Sequence, residues 1–224
     1  MIRVAVIDSG VHAAHPHVGG VAGGIGIDPH GIAHDDYVDR LGHGTAVTAV
    51  IREKAPAAEI FAIKVFDREL AATGRALVAA CEYALYLKAA LVNLSLGTQN
   101  LDHEAALAEV VSRLHASGAV VIAAGEHDSI RWLPGSLAGV WSVSLDWTVP
   151  RDRFRIDRVN RHGASLRATG VPRPIPGVPP ERNLKGLSFA VANVTGVLAA
   201  LLAAADGEDA VAVVARAFER GELS

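Results

Sequence analysis

The chain has 224 residues, half of them hydrophobic, and a formal net charge of −3. That length favours one large domain spanning residues 1–224 with a sizeable core, and the charge balance gives no electrostatic case for nucleic acid or a membrane surface as a partner. Cys81 is the only cysteine, which excludes an internal disulfide and cysteine-based metal clusters.

Residues 2–7 are a nearly continuous apolar run, the pattern of a parallel strand buried on both faces. Asp8 follows at its carboxyl end, where open α/β sheets place their ligands. The run is too short for a signal-peptide core, so the sequence predicts a cytoplasmic protein. Residues 11–41 hold Gly, His and Asp without clear period and read as loop with one short strand. Residues 43–51 read as a small-residue helix, 61–66 as a second strand and 73–88 as a helix. Residues 91–96 form a third strand, followed by Gly97. Asp102 is placed as the N-cap of a helix running to Ser117, with Gly118 closing it. Residues 119–124 and 140–145 complete the strands. Strands alternating with helices of this length predict an α/β fold, a mostly parallel central sheet between two helical layers.

Residues 151–180 break the rhythm with Arg151, Arg153, Arg155, Arg158, Arg161, Arg167 and Arg173, then Pro172, Pro174, Pro176, Pro179 and Pro180. This stretch reads as a solvated hairpin and surface loop, or as a docking surface for acidic substrate. Residues 191–205 are apolar or small on all sides, interrupted mainly by Asn193 and Thr195, which predicts a buried helix; the apolar part is short for a membrane span. Ser188, just after a glycine, opens that helix, where free backbone N–H groups favour developing negative charge. A final helix covers residues 208–219.

Acyl transfer by serine needs a base for the hydroxyl proton, a buried carboxylate to orient the base, and N–H donors for the oxyanion. Asp8, His43 and Ser188 supply these residue types, each beside glycine or at a strand end. The order Asp, His, Ser is one of the known convergent triad orders. His12, His15, His17, His30 and His34 with Asp28, Asp35 and Asp36 carry metal-ligand chemistry, but their spacing matches no closed zinc pattern.

On these residues the chain resembles the subtilisin-like serine proteases. Val6-Ile7-Asp8-Ser9-Gly10-Val11 with His15-Pro16 is similar to the family's Asp motif. His43-Gly44-Thr45-Ala46-Val47 is similar to its His motif, with Ala46 where a second histidine is common. Val92-Asn93-Leu94-Ser95-Leu96-Gly97 resembles the strand that lines the substrate pocket. Gly186-Leu187-Ser188-Phe189-Ala190, with Gly196 behind it, resembles the serine motif. There Leu187 and Phe189 replace the usual threonine and methionine, and Ala192 the usual proline. The resemblance runs from about residue 1 to about residue 202.

It implies a three-layer subtilisin-like fold, catalysis by Asp8, His43 and Ser188, and substrate binding by Leu94, Ser95, Leu96, Gly97, Ala124 and Gly125. Ala123-Ala124-Gly125-Glu126 stands where the family has Ala-Ala-Gly-Asn, so Glu126 replaces the side-chain donor to the oxyanion. An ionised carboxylate cannot donate; a protonated one can, and burial favours the proton. The alternatives are therefore an acid-shifted enzyme with Glu126 as donor, or a glutamate turned to solvent and the donor lost. The resemblance implies a peptide or protein substrate and no cofactor. Calcium, frequent in the family, cannot be placed from the spacing of carboxylates alone. The expected function is endopeptidase action, with limited precursor or leader-peptide processing. A catalytically weak peptide-binding module is the alternative. Because the chain is short for this family, a partner protein completing the site is also expected.

Overall fold

The structure, a computed structural model, describes residues 1–125, 130–205 and 207–223. In chain order it runs β1 (Arg3–Asp8), β2 (Gly23–Ile27), β3 (Ala33–His34), α1 (His43–Lys54), β4 (Glu59–Lys64), α2 (Gly74–Tyr86) and β5 (Leu91–Leu94). There follow α3 (Glu104–Ala116), β6 (Val120–Ala124), β7 (Val140–Leu145), β8 (Arg155–Asn160), β9 (Gly163–Ala168), α4 (Leu187–Ala204) and α5 (Ala210–Glu219). The strands form one nine-stranded sheet in the order β3-β2-β4-β1-β5-β6-β7-β9-β8. Neighbours from β2 to β9 run parallel, and the two edge pairings, β2 with β3 and β8 with β9, are antiparallel.

Side chains alternate across each strand, so the sheet feeds two cores. Val4, Val6, Ile60 and Ile122 point into a core shared with α1, α4 and α5. Ala5, Ile7, Ile63 and Val121 point into a second core with α2 and α3. This is the expected three-layer arrangement. The central helix α4 has a mean hydropathy of 2.0 and is 61% buried. By length and composition it could cross a membrane, and a core helix passes the same test.

Several boundaries differ from the sequence expectation. The strand expected at residues 61–66 is Glu59–Lys64, because its register is fixed by pairing with Arg3–Asp8 rather than by its own apolar run. The strand expected at 91–96 stops at Leu94; beyond it Thr98 turns away to bridge Leu133 antiparallel. Asp102 is not a cap: the Asn100 side chain accepts from the Asp102 N–H and starts a short 3₁₀ turn ahead of α3. Gly118 does close α3, with φ of +85°. Residues 11–41 hold two strands rather than one, the first being Gly-Gly-Ile-Gly-Ile, whose glycines carry no apolar period.

The arginine-rich stretch forms the β8–β9 hairpin, and β9 extends the main sheet beside β7. Much of its charge is neutralised locally. Arg151 pairs with Glu53, Arg153 with Asp152, Arg155 with Asp146, and Arg167 with Asp157 and Asp146. It is a solvated hairpin, not one continuous cationic face.

Candidate active site

The chain crosses from β4 on one side of β1 to β5 on the other, so the carboxyl end of β1 is a topological switch point. Asp8 ends β1 there, fully buried. Its Oδ1 accepts from the Ser9 N–H and from His43 Nδ1, both at 2.7 Å. His43 is the first residue of α1, and its side chain is 16% exposed. Gly44 makes this approach feasible: a Cβ there would lie 2.2 Å from the Gly10 carbonyl oxygen and 3.1 Å from Asp8 Cβ. The glycine of His43-Gly44-Thr45 is therefore a close-contact residue between strand and helix.

Sequence reasoning missed Asp39. Asp39 is partly exposed and lies in the aperiodic 11–41 region, yet its carboxylate organises the start of α1. Oδ1 accepts from Ser9 Oγ and from the Leu41 and Gly42 N–H groups; Oδ2 accepts from the Thr45 N–H and hydroxyl. Ser9 Oγ in turn accepts from the Gly44 N–H at 2.9 Å. Burial works against the Asp39 charge, but the hydrogen bonds from Thr45, Ser9 and Leu41 hold its pKa below the usual value. For His43, burial disfavours the imidazolium. The hydrogen bond and charge of Asp8, with the charge of Asp39, outweigh it and raise the pKa above 6.5.

Ser188 lies in the first turn of α4, where N–H groups have no intrahelical acceptor. Gly186 precedes it with φ of +149°, a conformation that glycine alone adopts readily. Ser188 Oγ donates to the Ser95 carbonyl at 3.1 Å, and Ser95 Oγ donates to the Ser188 carbonyl at 3.1 Å. Behind them, Asn93 Nδ2 donates to Ser95 Oγ, and Thr195 Oγ1 donates to Asn93 Oδ1, each at 2.9 Å. This buried chain joins β5 to α4. The Phe189 ring lies 5.9 Å from that of His43, so the residue that replaces the usual methionine packs against the imidazole.

His43 and Ser188 open on the same cavity of about 580 Å³, with Ser95, Leu96, Gly97 and Trp132 in its wall. The other residues expected to bind substrate lie elsewhere. Leu94 is buried in the core with α2 and α3, and Ala124 in the core with α4. Gly125 continues the sheet ladder by donating its N–H to the Val143 carbonyl. Glu126 lies outside the described residues. Among the described residues no three His, Cys, Asp or Glu side chains converge as a metal site. The histidines His12, His15 and His17 meet edge to face instead.

The sequence pattern of the subtilase family matches residues 1–150, the part that contains Asp8 and His43. Subtilisin E of Bacillus subtilis (strain 168) is 32% identical over 136 residues, 57% of this chain and 34% of that protein. The chain thus matches well under half the length of this relative. Among solved structures, the prenylagaramide maturation protease PagA is 25% identical with a TM-score of 0.66. That match covers 95% of this chain and 79% of PagA. A lanthipeptide protease shares the fold with a TM-score of 0.69 at 16% identity, over 95% of this chain and 77% of its own. Those two likenesses extend well past residue 150, over the region that contains Ser188. The chain belongs to the subtilase family.

Proposed function

We propose that the chain is a serine endopeptidase that cleaves precursor peptides through an acyl-enzyme. The observation that carries the reading is the buried Asp8–His43 pair opening on the same cavity as Ser188. Asp8 holds the His43 tautomer with the proton on Nδ1 and leaves Nε2 free to accept. The Ser188 hydroxyl leaves the Ser95 carbonyl, passes its proton to Nε2 and attacks the scissile carbonyl. His43 then protonates the leaving amine, and water repeats the sequence to free the acyl group. The Ser188 N–H, at the positive end of α4, donates to the oxyanion. Substrate lies extended along Ser95, Leu96 and Gly97 by backbone pairing. The likeness to a maturation protease supports precursor processing.

Glu126 takes the second donor role when protonated. Losing one such donor costs about 10²–10³ in turnover, so the pH profile of activity is shifted toward acid and Glu126→Asn raises activity at neutral pH. Ser188 Oγ resting on the Ser95 carbonyl favours a second reading, a module that grips peptide without cleaving it. Intact mass after a fluorophosphonate probe decides between them. Single labelling that Ser188→Ala abolishes supports the peptidase; no labelling of the native chain or of Glu126→Asn at any pH supports the binding module.

A further inference from the structure

A second cavity, about 410 Å³, lies beyond His43 on the α1 side of the sheet. Gly42 and Thr45, which flank His43 in sequence, form one wall, with Ala46 and Ala49 further along α1. The opposite wall is the loop that leads from β9 to Ser188, contributing Arg173, Ile175, Val178, Arg182 and Leu184. His12, His15 and His17 close the third side.

The loop is held in shape rather than draped. Asn193, buried in α4, donates to the Thr169 and Val171 carbonyls. Gly186 N–H donates to the Gly170 carbonyl, closing the loop at its base. Asn183 donates across it to the Arg173 carbonyl. Pro172, Pro174, Pro176, Pro179 and Pro180 fix φ along its length. The wall is therefore preformed, and a ligand that uses it loses little ordering entropy.

Its chemistry has one sign. Arg173 donates only to the His17 carbonyl, and neither Arg173 nor Arg182 has a carboxylate partner among the described residues. This contrasts with Arg155 and Arg167 of the β8–β9 hairpin, which pair with Asp146 and Asp157. Among the described residues, Asp39 is the only acid in the lining, and its oxygens are already taken by Ser9, Leu41, Gly42 and Thr45. Between the cations the wall is apolar, with Ile175, Val178 and Leu184 all exposed. Burial, then the nearby Arg173 charge, holds the His17 pKa below that of a free imidazole.

We infer that this cavity is an exosite for an acidic, leucine-like segment of the peptide substrate, remote from the bond that is cut. Carboxylates fit the unpaired guanidinium groups, which bind them as a planar fork, and aliphatic side chains fit the wall between. The inference rests on the peptidase reading for the identity of the occupant, while binding itself needs no catalysis.

The test uses the full chain carrying Ser188→Ala and a fluorescein-labelled decapeptide of alternating Glu and Leu, read by anisotropy. Its isostere of alternating Gln and Leu is the comparison. The Glu peptide is expected to bind about tenfold tighter than the Gln peptide, and Arg182→Glu removes that advantage. Arg173→Gln weakens binding by a similar factor. Arg158→Glu, on the exposed hairpin, leaves it unchanged. Equal binding of the two peptides, or an equal loss from Arg158→Glu, overturns the exosite. Fluorophosphonate labelling of the native chain is run beside it: labelling without selective peptide binding sinks only the exosite, and selective binding without labelling sinks only the peptidase.

Discussion

Ser188 and Ser95 hold each other by two reciprocal bonds, each hydroxyl donating to the other's carbonyl at 3.1 Å. One of these bonds must break for chemistry and the other must not. The Ser188 hydroxyl has to swing away from Ser95 to reach His43, whereas the Ser95 hydroxyl fixes the backbone that carries the nucleophile. Ser95→Ala removes the fixed bond and leaves buried Asn93 Nδ2 without its acceptor. The expected cost is about 1–3 kcal/mol of stability, seen as a lower denaturant midpoint, together with slower fluorophosphonate labelling. An unchanged labelling rate would show that Ser95 has no part in positioning Ser188.

The pH dependence follows from the raised pKa of His43. The base must be neutral, so in Glu126→Asn, which has no glutamate at that position to titrate, labelling rises with pH through a value above 6.5. Stability runs the other way. The charged Asp8–His43 pair stabilises the fold fully below the unfolded-state pKa of about 6.5 and loses that contribution as pH rises through the higher folded value. Asp8→Asn lowers the His43 pKa and cuts turnover by about 10⁴, as expected when the orienting carboxylate of such a triad is lost. Following the His43 ring protons by NMR in both proteins checks the direction of the shift.

Asp8, His43 and Ser188 were legible because each sits in a short local pattern: a buried strand ending in a carboxylate, or a glycine beside a helix start. Asp39 was not, since what it does depends on the chain folding back on Ser9 and Thr45, and nothing periodic marks it. The fold class could be read from alternating apolar runs. The β8–β9 hairpin was read only as a surface feature, because its joining the sheet depends on pairing with β7, a tertiary event. The same holds for Asn100 displacing Asp102 as the cap: both side chains could cap, and the path of the backbone before α3 decided between them. Leu94 and Ala124 turn their side chains into the two cores, as alternation along a strand requires.

Gly44→Ala tests the close approach of α1 to β1. Its Cβ would meet the Gly10 carbonyl oxygen at 2.2 Å, a backbone atom that cannot step aside alone. The start of α1 must retreat, which stretches the 2.7 Å Asp8–His43 bond and the Ser9–Gly44 bond together. We expect loss of most labelling and a stability loss of about 1–3 kcal/mol, the usual range for overpacking. A crystal structure of the variant showing the pair intact would contradict this account.

Thr195 lies two turns into α4, remote from the cavity, yet its hydroxyl satisfies buried Asn93, which satisfies Ser95, which holds Ser188. The same hydroxyl contacts the Val191 carbonyl one turn earlier, so Asn93 is the partner that loses most when it is removed. Thr195→Val keeps the shape and deletes the donor, leaving Asn93 Oδ1 buried and unpaired at a cost of about 1–3 kcal/mol. If the chain of bonds merely stabilises the fold, the labelling rate of the folded protein stays unchanged. If it positions the nucleophile, the rate falls while the pH midpoint set by His43 stays in place, because among the described residues none of these hydrogen bonds involves the imidazole. Thr195→Ser restores the donor and is expected to recover both stability and rate. Asn93→Leu in the Thr195→Val background removes the orphaned amide, so it should regain stability without regaining rate; recovery of both would assign the network to stability alone.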